Sequence, residues 1–181
     1  MKKLVCTLAA AVLPVFTTAF AFDYNTSVDE IAADPLTAYQ TVYLGMPRAD
    51  FDGNFSILPD WKFHGSESSY QEWAERKTTS DGVTVIEGIE IFSASPSPVG
   101  KVIAFDSYFK TADKNTAKGI YTRLVATVYA NMENFPESQQ GNTVIWVQND
   151  VTIVVSYDGK KDADGMYIVR IHRYNNHVLH G

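Results

Sequence analysis

The clearest pattern along the chain is a helical one between Asp113 and Met132. Apolar residues recur there at every fourth position, as Ile120, Leu124, Val128 and Met132. This spacing places them on one face of a helix, and Asp113 is a favoured N-cap residue. Since β-branched residues lower helix propensity, the sequence predicts an amphipathic helix over 113–132 that depends on packing.

Apolar runs on both sides of this helix predict β-strands, because they alternate or are bounded by turn-forming residues. The predicted strands cover 69–78, 83–93, 101–109, 143–148, 151–157 and 166–174. Turn signals separate several of them, at 80–82, 149–150 and 158–165. We expect the last three strands to form consecutive antiparallel hairpins, with Trp146 packed under the helix.

Shorter elements are predicted before the first strand. Ser27 and Glu30 have the spacing of a capping box and predict a short helix. Asp34–Pro35 ends it and can cap a second helix over 36–43. A third helix is predicted over 47–52, because Pro47 suits the first helical position. Its expected C-cap is Gly53–Asn54, since both residues tolerate the left-handed conformation.

These elements predict an α+β fold in which helices pack on one face of an antiparallel sheet. A single mature domain over 22–181 is expected. Helix, strands, helix and strands follow one another, so the domain can also consist of two tandem helix-plus-strands units near 43–110 and 113–174. No residue-level repeat accompanies this order.

The first 21 residues have the features of a secretory signal peptide. Lys2 and Lys3 precede the apolar run 4–16, and Ala19 and Ala21 form a small-residue cleavage site. The run is shorter than the roughly 20 residues of a membrane span, and no later stretch is apolar enough to span. We therefore expect a periplasmic or secreted protein that starts at Phe22.

The net charge limits the kinds of partner that the protein can bind, and the cysteine content limits the catalytic chemistry that is possible. The formal charge is −6, and loss of Lys2 and Lys3 makes the mature chain −8. An acidic chain without long Lys/Arg runs does not suit nucleic acid as a partner. The one cysteine, Cys6, lies in the signal peptide, so the mature protein is expected to lack thiol catalysis and disulfides.

The segment from Tyr43 to Phe55, "YLGMPRADFDGNF", resembles part of a known group. Small exported proteins of the SmpA/OmlA and β-lactamase-inhibitor-protein-like group carry a similar pattern, and the matching residues are Leu44, Gly45, Met46, Asp50 and Phe51. Pro47 departs from it, because Ser or Thr is usual there. The resemblance implies a helix pair packed on an antiparallel sheet and a protein that binds other proteins without catalysis.

We interpret this segment as a structural joint. Gly45 allows a sharp turn into the helix that follows, and Met46 is expected to enter the core. Arg48 and Asp52 are expected on the outer face of that helix.

Familiar catalytic motifs are missing from the sequence, so no catalytic residue, metal site or cofactor is predicted. Glu87 and Glu90 flank Gly88; a bulge there would place both carboxylates on one face, and a regular strand would place them on opposite faces. Arg170, His172 and Tyr174 alternate along the last strand and predict a polar outer face, which is either a solvent face or an anion site.

Two further clusters have simple structural interpretations. Asp158, Asp162 and Asp164 resemble part of a calcium loop, but Lys160 and Ile171 stand at ligand positions, so a hairpin turn is preferred. His177 and His180 are three residues apart, and two histidines do not complete a metal site.

Two functions are consistent with these patterns. The preferred hypothesis is a non-catalytic exported protein that binds a protein or another envelope component. The alternative is a small periplasmic hydrolase or ligand carrier. A pocket that combines Glu87, Glu90 or His172 would favour the alternative, and a shallow aromatic sheet face would favour binding.

The signal peptide gives a direct prediction. Cleavage after Ala21 should leave a mature chain of 160 residues, which is 181 minus 21. Intact mass spectrometry of the exported protein measures the cleavage position. An exported product that still contains Cys6 would contradict the assignment.

Overall fold

The computed structural model describes residues 24–65 and 69–179. Residues 1–23, 66–68, 180 and 181 lie outside the described part of the chain, and with them the expected signal peptide and His180. Within them the helices are α1 Tyr24–Ala33, α2 Arg48–Phe55, α3 Lys114–Asn131 and α4 Asn176–Leu179. The strands are β1 Thr37–Ala38, β2 Val42–Tyr43, β3 Lys62–His64, β4 Gln71–Ser80, β5 Val83–Ser93, β6 Val102–Thr111, β7 Ser138–Gln140, β8 Thr143–Gln148, β9 Val151–Lys161 and β10 Tyr167–Asn175.

Eight of these strands form one antiparallel sheet. Their order is β3-β4-β5-β6-β10-β9-β8-β7, and β1 pairs only with β2. The predicted α+β class is confirmed, and so are the consecutive hairpins over 143–174. Each half of the sheet is one helix followed by four strands: α2 with β3–β6, and α3 with β7–β10. The two halves span 48–111 and 114–175, and β6 pairs with β10 to join them; the tandem units near 43–110 and 113–174 stay a prediction.

Helices α1, α2 and α3 pack on the same side of the sheet. Residues of α1 and α3 share a buried cluster with one face of β6, β8, β9 and β10. Residues of α2 share a second cluster with the same face of β4, β5 and β6. Trp146 is fully buried in the first cluster, together with Ile120 and Leu124 of α3, so the prediction that it lies under this helix is confirmed.

The long helix begins where the sequence predicts. The Asp113 side chain accepts a hydrogen bond from the backbone N–H of Thr116 at 2.7 Å, which satisfies one of the free donors of the first turn. The buried positions of α3 are Ala117, Ile120, Leu124 and Val128. The apolar stripe therefore faces the sheet, and the helix is held by packing.

Two short helical predictions are wrong in part. Residues 36–43 form the β1–β2 hairpin, because Tyr39 and Gln40 adopt positive φ angles of 51° and 57° and turn the chain back. Helix α2 continues through Gly53 to Phe55, so the predicted C-cap at Gly53–Asn54 does not form. The buried rings of Phe51 and Phe55 lie 4.8 Å apart, and their packing carries the helix past the glycine.

The segment before α2 forms a joint with the loop before β6. Gly45 has a φ of 88°, a conformation that favours glycine. Its N–H donates to the Val102 carbonyl at 2.8 Å, and the Val102 N–H donates to the Met46 carbonyl at 3.0 Å. Met46 is buried in the core beside α2, as expected.

Arg48 and Asp52 do not lie on an outer face, and that expectation is wrong. Arg48 is buried and forms an ion pair with the buried Glu72 of β4. Its guanidinium also donates to the Pro96 carbonyl. Burial and the neighbouring Glu72 raise the pKa of Asp52 to about 6. Removal of one partner would leave the other charge buried and unpaired, which is strongly destabilising.

Arg173 is a second buried charge that the pattern of β10 does not reveal. Strand alternation puts it on the helix side with Val169 and Ile171. Its guanidinium donates to the carbonyls of Pro35 at 2.6 Å and Ile31 at 3.0 Å. Burial lowers its pKa to about 9, against the opposing effect of Asp106. The charge therefore ties the end of α1 to the centre of the sheet.

Trp146→Ala should lower the free energy of unfolding by about 3–5 kcal/mol, because it leaves a large cavity under α3. Thermal and denaturant melts measure the change. Tyr129→Ala is the matched control, since Tyr129 is on the exposed side of α3, and it should change stability by less than about 0.5 kcal/mol. Equal stability of both variants and the parent would contradict the packing described here.

Candidate functional site

The side of the sheet opposite α1, α2 and α3 is the candidate functional site, and we name it the open face. Strand alternation places polar and aromatic residues of β4, β5, β6 and β10 on this side. They are Trp73, Glu75, Glu90, Asp106, Tyr108, Lys110, Arg170, His172 and Tyr174. Along these four strands the open face is thus largely polar and aromatic, whereas the covered side carries the apolar core.

Tyr108 lies at the centre of the open face, over a glycine. Gly88 of β5 is its direct cross-strand partner, and a Cβ built on Gly88 would overlap the Tyr108 ring. The Tyr108 hydroxyl donates to Glu75 at 2.6 Å. The Lys110 ammonium donates to the same carboxylate at 3.1 Å and lies 4.7 Å from the Tyr108 ring centroid. The glycine therefore provides the space in which the tyrosine is fixed.

This arrangement changes the acidity of both partners. Burial would raise the pKa of Glu75, but hydrogen bonds from Tyr108 and Lys110 outweigh it and hold the pKa below its ordinary value. Burial, followed by the hydrogen bond to Glu75, raises the pKa of Tyr108. Glu75 is therefore an anion and Tyr108 a neutral donor at neutral pH.

A second polar cluster crosses three neighbouring strands. Glu90 of β5 is opposite Asp106 of β6, which is opposite His172 of β10. Arg170 donates to Asp106 at 3.0 Å and lies 3.8 Å from Glu90. His172 contacts Asp106 through Nδ1, and Gln71 donates to Glu90. Each carboxylate of this cluster therefore has a neighbouring donor.

The carboxylates of this cluster lie deeper than the guanidinium and the imidazole. The side chains of Asp106 and Glu90 are 8% and 15% exposed, whereas those of Arg170 and His172 are 37% and 35% exposed. The outermost polar groups are therefore donors. An otherwise acidic protein thus presents a guanidinium and an imidazole outward at the centre of its open face.

Aromatic side chains border the cluster toward β3. The rings of His64 and Trp73 are stacked, with centroids 5.0 Å apart and planes 10° from parallel. A shallow hollow of about 430 Å³ lies between this stack, Tyr108 and Arg170. The hollow is open to solvent and is floored by polar groups that already bind one another.

The structure separates Glu87 from Glu90 and brings Glu90 near His172. The register between β4, β5 and β6 is regular through Gly88, so no bulge forms there. Glu87 points to the helix side, where Arg76 donates to it at 2.8 Å. Glu90 shares the open face with His172 through Asp106. The carboxylate pair that a bulge would have created is therefore absent.

The aspartate cluster at 158–164 and His177 of the C-terminal histidine pair have structural roles. Asp162 accepts backbone hydrogen bonds from Asp164 and Met166 at 3.0 and 2.8 Å and forms a turn. The turn predicted over 158–165 is shorter than expected, because Asp158 lies in β9, which continues to Lys161. His177 pairs with Asp150 at 3.1 Å. Within residues 24–65 and 69–179, no group of three or more His, Cys, Asp or Glu residues could hold a metal ion.

Asp106, Tyr108 and Glu75 are central residues that the sequence analysis did not single out. A signal existed, because Asp106, Tyr108 and Lys110 occupy alternate positions of the β6 sequence, between Phe105, Ser107 and Phe109. The alternation of these β6 residues shows that they share one face of the strand. Which charged side chains lie beside them is determined by the pairing of β6 with β5 and β10.

Comparison with protein-family models, curated proteins and solved structures found no significant match. The resemblance of residues 43–55 to the SmpA/OmlA and β-lactamase-inhibitor-protein-like group therefore stays a prediction. No helix in the described part of the chain is long and apolar enough to cross a membrane.

Gly88→Ala should destabilise the protein by about 1–3 kcal/mol, because the new methyl group displaces the Tyr108 ring. Denaturant melts measure the loss. Gly119→Ala is the control: position 119 lies in α3 with no atom within 4 Å of a built Cβ, and alanine there should stabilise by up to about 1 kcal/mol.

A double-mutant cycle separates the overlap of the new methyl group with the Tyr108 ring from a general effect of the substitution on β5. Gly88→Ala should cost less in a Tyr108→Ala background, since the overlapping ring is gone. An equal cost in both backgrounds would mean that Tyr108 does not occupy the space above Gly88.

Proposed function

We propose that this protein is an exported, non-catalytic bacterial protein that binds another protein through the open face. The observation that carries the proposal is the continuous sheet on which α1, α2 and α3 pack from one side. The other side bears aromatic rings and a charge network at its centre. These are residue types that protein interfaces favour.

The dimensions of the open face suit a protein partner. The six longer strands are separated by five spacings of about 4.8 Å, or roughly 24 Å in total. Strands of about ten residues are roughly 33 Å long, so the surface is on the order of 800 Å². An ordinary stable interface buries about 800 Å² on each partner.

The network also makes the surface rigid before binding. Tyr108 is fixed by Gly88 and Glu75, and Asp106 holds both Arg170 and His172. Side chains that are already ordered lose less conformational entropy when a partner binds. The open face therefore has the preorganised centre that a binding surface needs.

The exposed donors favour a partner with an acidic segment at the contact. Arg170 and His172 are more exposed than the carboxylates beneath them. An incoming carboxylate would meet a guanidinium that can bind it with paired hydrogen bonds. The incoming carboxylate would contact the exposed guanidinium before it reached the deeper carboxylates of Asp106 and Glu90.

Two sequence features support the remaining parts of the proposal. The signal-peptide pattern over 1–21 supports export, and the resemblance of residues 43–55 to a protein-binding exported group supports a non-catalytic role. Both are inferences from the sequence.

A hydrolase is the second candidate, and the Asp106–His172 contact is the observation that favours it. A carboxylate that contacts Nδ1 can orient a general base. Within the described residues, however, no Ser or Thr hydroxyl bonds to His172, so a nucleophile beside the base is not seen. The polar groups of the hollow mainly bind one another, which favours binding over catalysis.

Binding by variants of the open face tests the proposed function. The tagged mature protein is used to capture partners from envelope extract, and captured proteins are quantified by mass spectrometry. Arg170→Glu and Trp73→Ala should each lower capture of the specific partner at least tenfold, because they reverse the outward charge and remove the aromatic border.

Matched variants on the helix side serve as controls. Lys118→Glu makes the same change of charge sign on the exposed side of α3, and Tyr129→Ala removes an exposed ring there. Both should capture the partner as the parent does. A partner that is retained by the open-face variants and lost by the α3 variants would place the interface on the helices.

A further inference from the structure

A pocket of about 460 Å³ opens on the helix side of the sheet, away from the open face. It lies where the β1–β2 hairpin and the loop after α2 meet β4. Its lining combines aromatic, aliphatic and charged residues: Glu30, Tyr39, Phe55, Leu58, Asp60, Trp61 and Arg76. The volume is within the range of small-molecule sites, which are mostly apolar with a few placed polar groups.

Three aromatic rings form the wall of this pocket. Phe55 and Trp61 have centroids 5.0 Å apart, and Tyr39 and Trp61 have centroids 5.4 Å apart. Both pairs are nearly perpendicular, the edge-to-face geometry that aromatic pairs prefer. The wall is therefore ordered by its own contacts and presents ring surface to the cavity.

The base of the pocket is an internally neutralised charge network. Arg76 donates to Glu87 through Nε at 2.8 Å and through Nη2 at 3.1 Å. The Tyr39 hydroxyl donates to the same carboxylate, and the guanidinium lies 4.7 Å from the Trp61 ring centroid. Because Glu87 offsets the charge of Arg76, the base does not select strongly for an anion.

The mouth of the pocket is negatively charged. Glu30 and Asp60 line it and are exposed, and neither forms an ion pair within the described residues. The pKa of Tyr39 is raised, first by burial and the adjacent Glu87, and further by the charge of Glu30.

Apolar surface continues outward from the pocket. Leu58, which lines it, is 40% exposed, and its neighbour Ile57 is 78% exposed. Exposed apolar side chains beside a cavity indicate a ligand site more strongly than single exposed residues do. A molecule bound here would cover part of this surface.

We propose that this pocket binds a small organic cation that carries an aromatic or aliphatic ring. The ring packs against Phe55, Leu58 and Trp61, and the ammonium group lies at the mouth beside Glu30 and Asp60. The two carboxylates supply the charge preference, and the aromatic wall supplies apolar contact. This site is independent of the protein interface proposed for the open face.

Two probes with similar ring and chain but opposite charge test the proposal. 2-Phenylethylammonium and 3-phenylpropionate are titrated into the purified protein, and the indole N–H signals of its three tryptophans are followed by NMR. The cation should shift the Trp61 signal in a saturable way. The signals of Trp73 on the open face and of buried Trp146 should stay in place, and the anion should cause a much smaller change.

Variants that remove the charges of Glu30 and Asp60 measure how much these carboxylates contribute to cation binding. Asp60→Asn and Glu30→Gln should each weaken cation binding about two- to fivefold, the range of exposed ion pairs. Both positions are exposed, so the fold should be retained. Glu137→Gln, an exposed position in the loop before β7, should bind as the parent does.

Three results would overturn the proposal. Equal shifts by cation and anion would mean that the pocket selects only for apolarity. A shift of Trp73 in place of Trp61 would move the site to the open face. The absence of any saturable shift up to about 10 mM probe, a concentration at which even weak specific sites fill, would mean that the cavity is not a site for this class of ligand.

Discussion

Strands β6 and β10 are the last strands of the two halves, and they pair antiparallel over eight residue pairs. This pairing turns two helix-plus-strands units into one continuous sheet with a shared core. It also sets the positions of charged groups, because it places Asp106 opposite His172 on the open face and Phe105 opposite Arg173 on the helix side. A shift of one residue would exchange the two faces, so both the core and the candidate site depend on this register.

Helices α1, α2 and α3 cover one side of that sheet, and this determines the chemistry of the two sides. On the helix side, buried cations are held by carboxylates and carbonyls, as Arg48 is by Glu72 and Arg173 by Ile31 and Pro35. On the open face, the carboxylates of Asp106 and Glu90 lie beneath the more exposed side chains of Arg170 and His172. A buried ion pair such as Arg48–Glu72 contributes more to a fixed geometry than to net stability. A fixed geometry suits a sheet whose open face must keep its shape.

The sequence predicts the elements that depend on local pattern. The stripe of Leu124 and Val128 predicts α3 and the face it buries, and alternation predicts the strands and the outward direction of Arg170 and His172. Long-range pairing lies beyond such patterns. A charged side chain next to a helix start is usually exposed, so the burial of Arg48 follows only from β4, which supplies Glu72. The network of the open face likewise requires the order of strands in the sheet.

Site-specific photo-cross-linking in the producing cell tests the central claim most directly. A photoreactive phenylalanine analogue is placed on the open face at His172 or at Lys77, an exposed residue two positions after Glu75 in β4. It is also placed at Lys118 or Tyr129 on the exposed side of α3. A discrete cross-linked partner protein is expected from the open-face positions and none from α3. Adducts that form only from the α3 positions would contradict it, because the partner would then contact the helices and leave the open face of the sheet free.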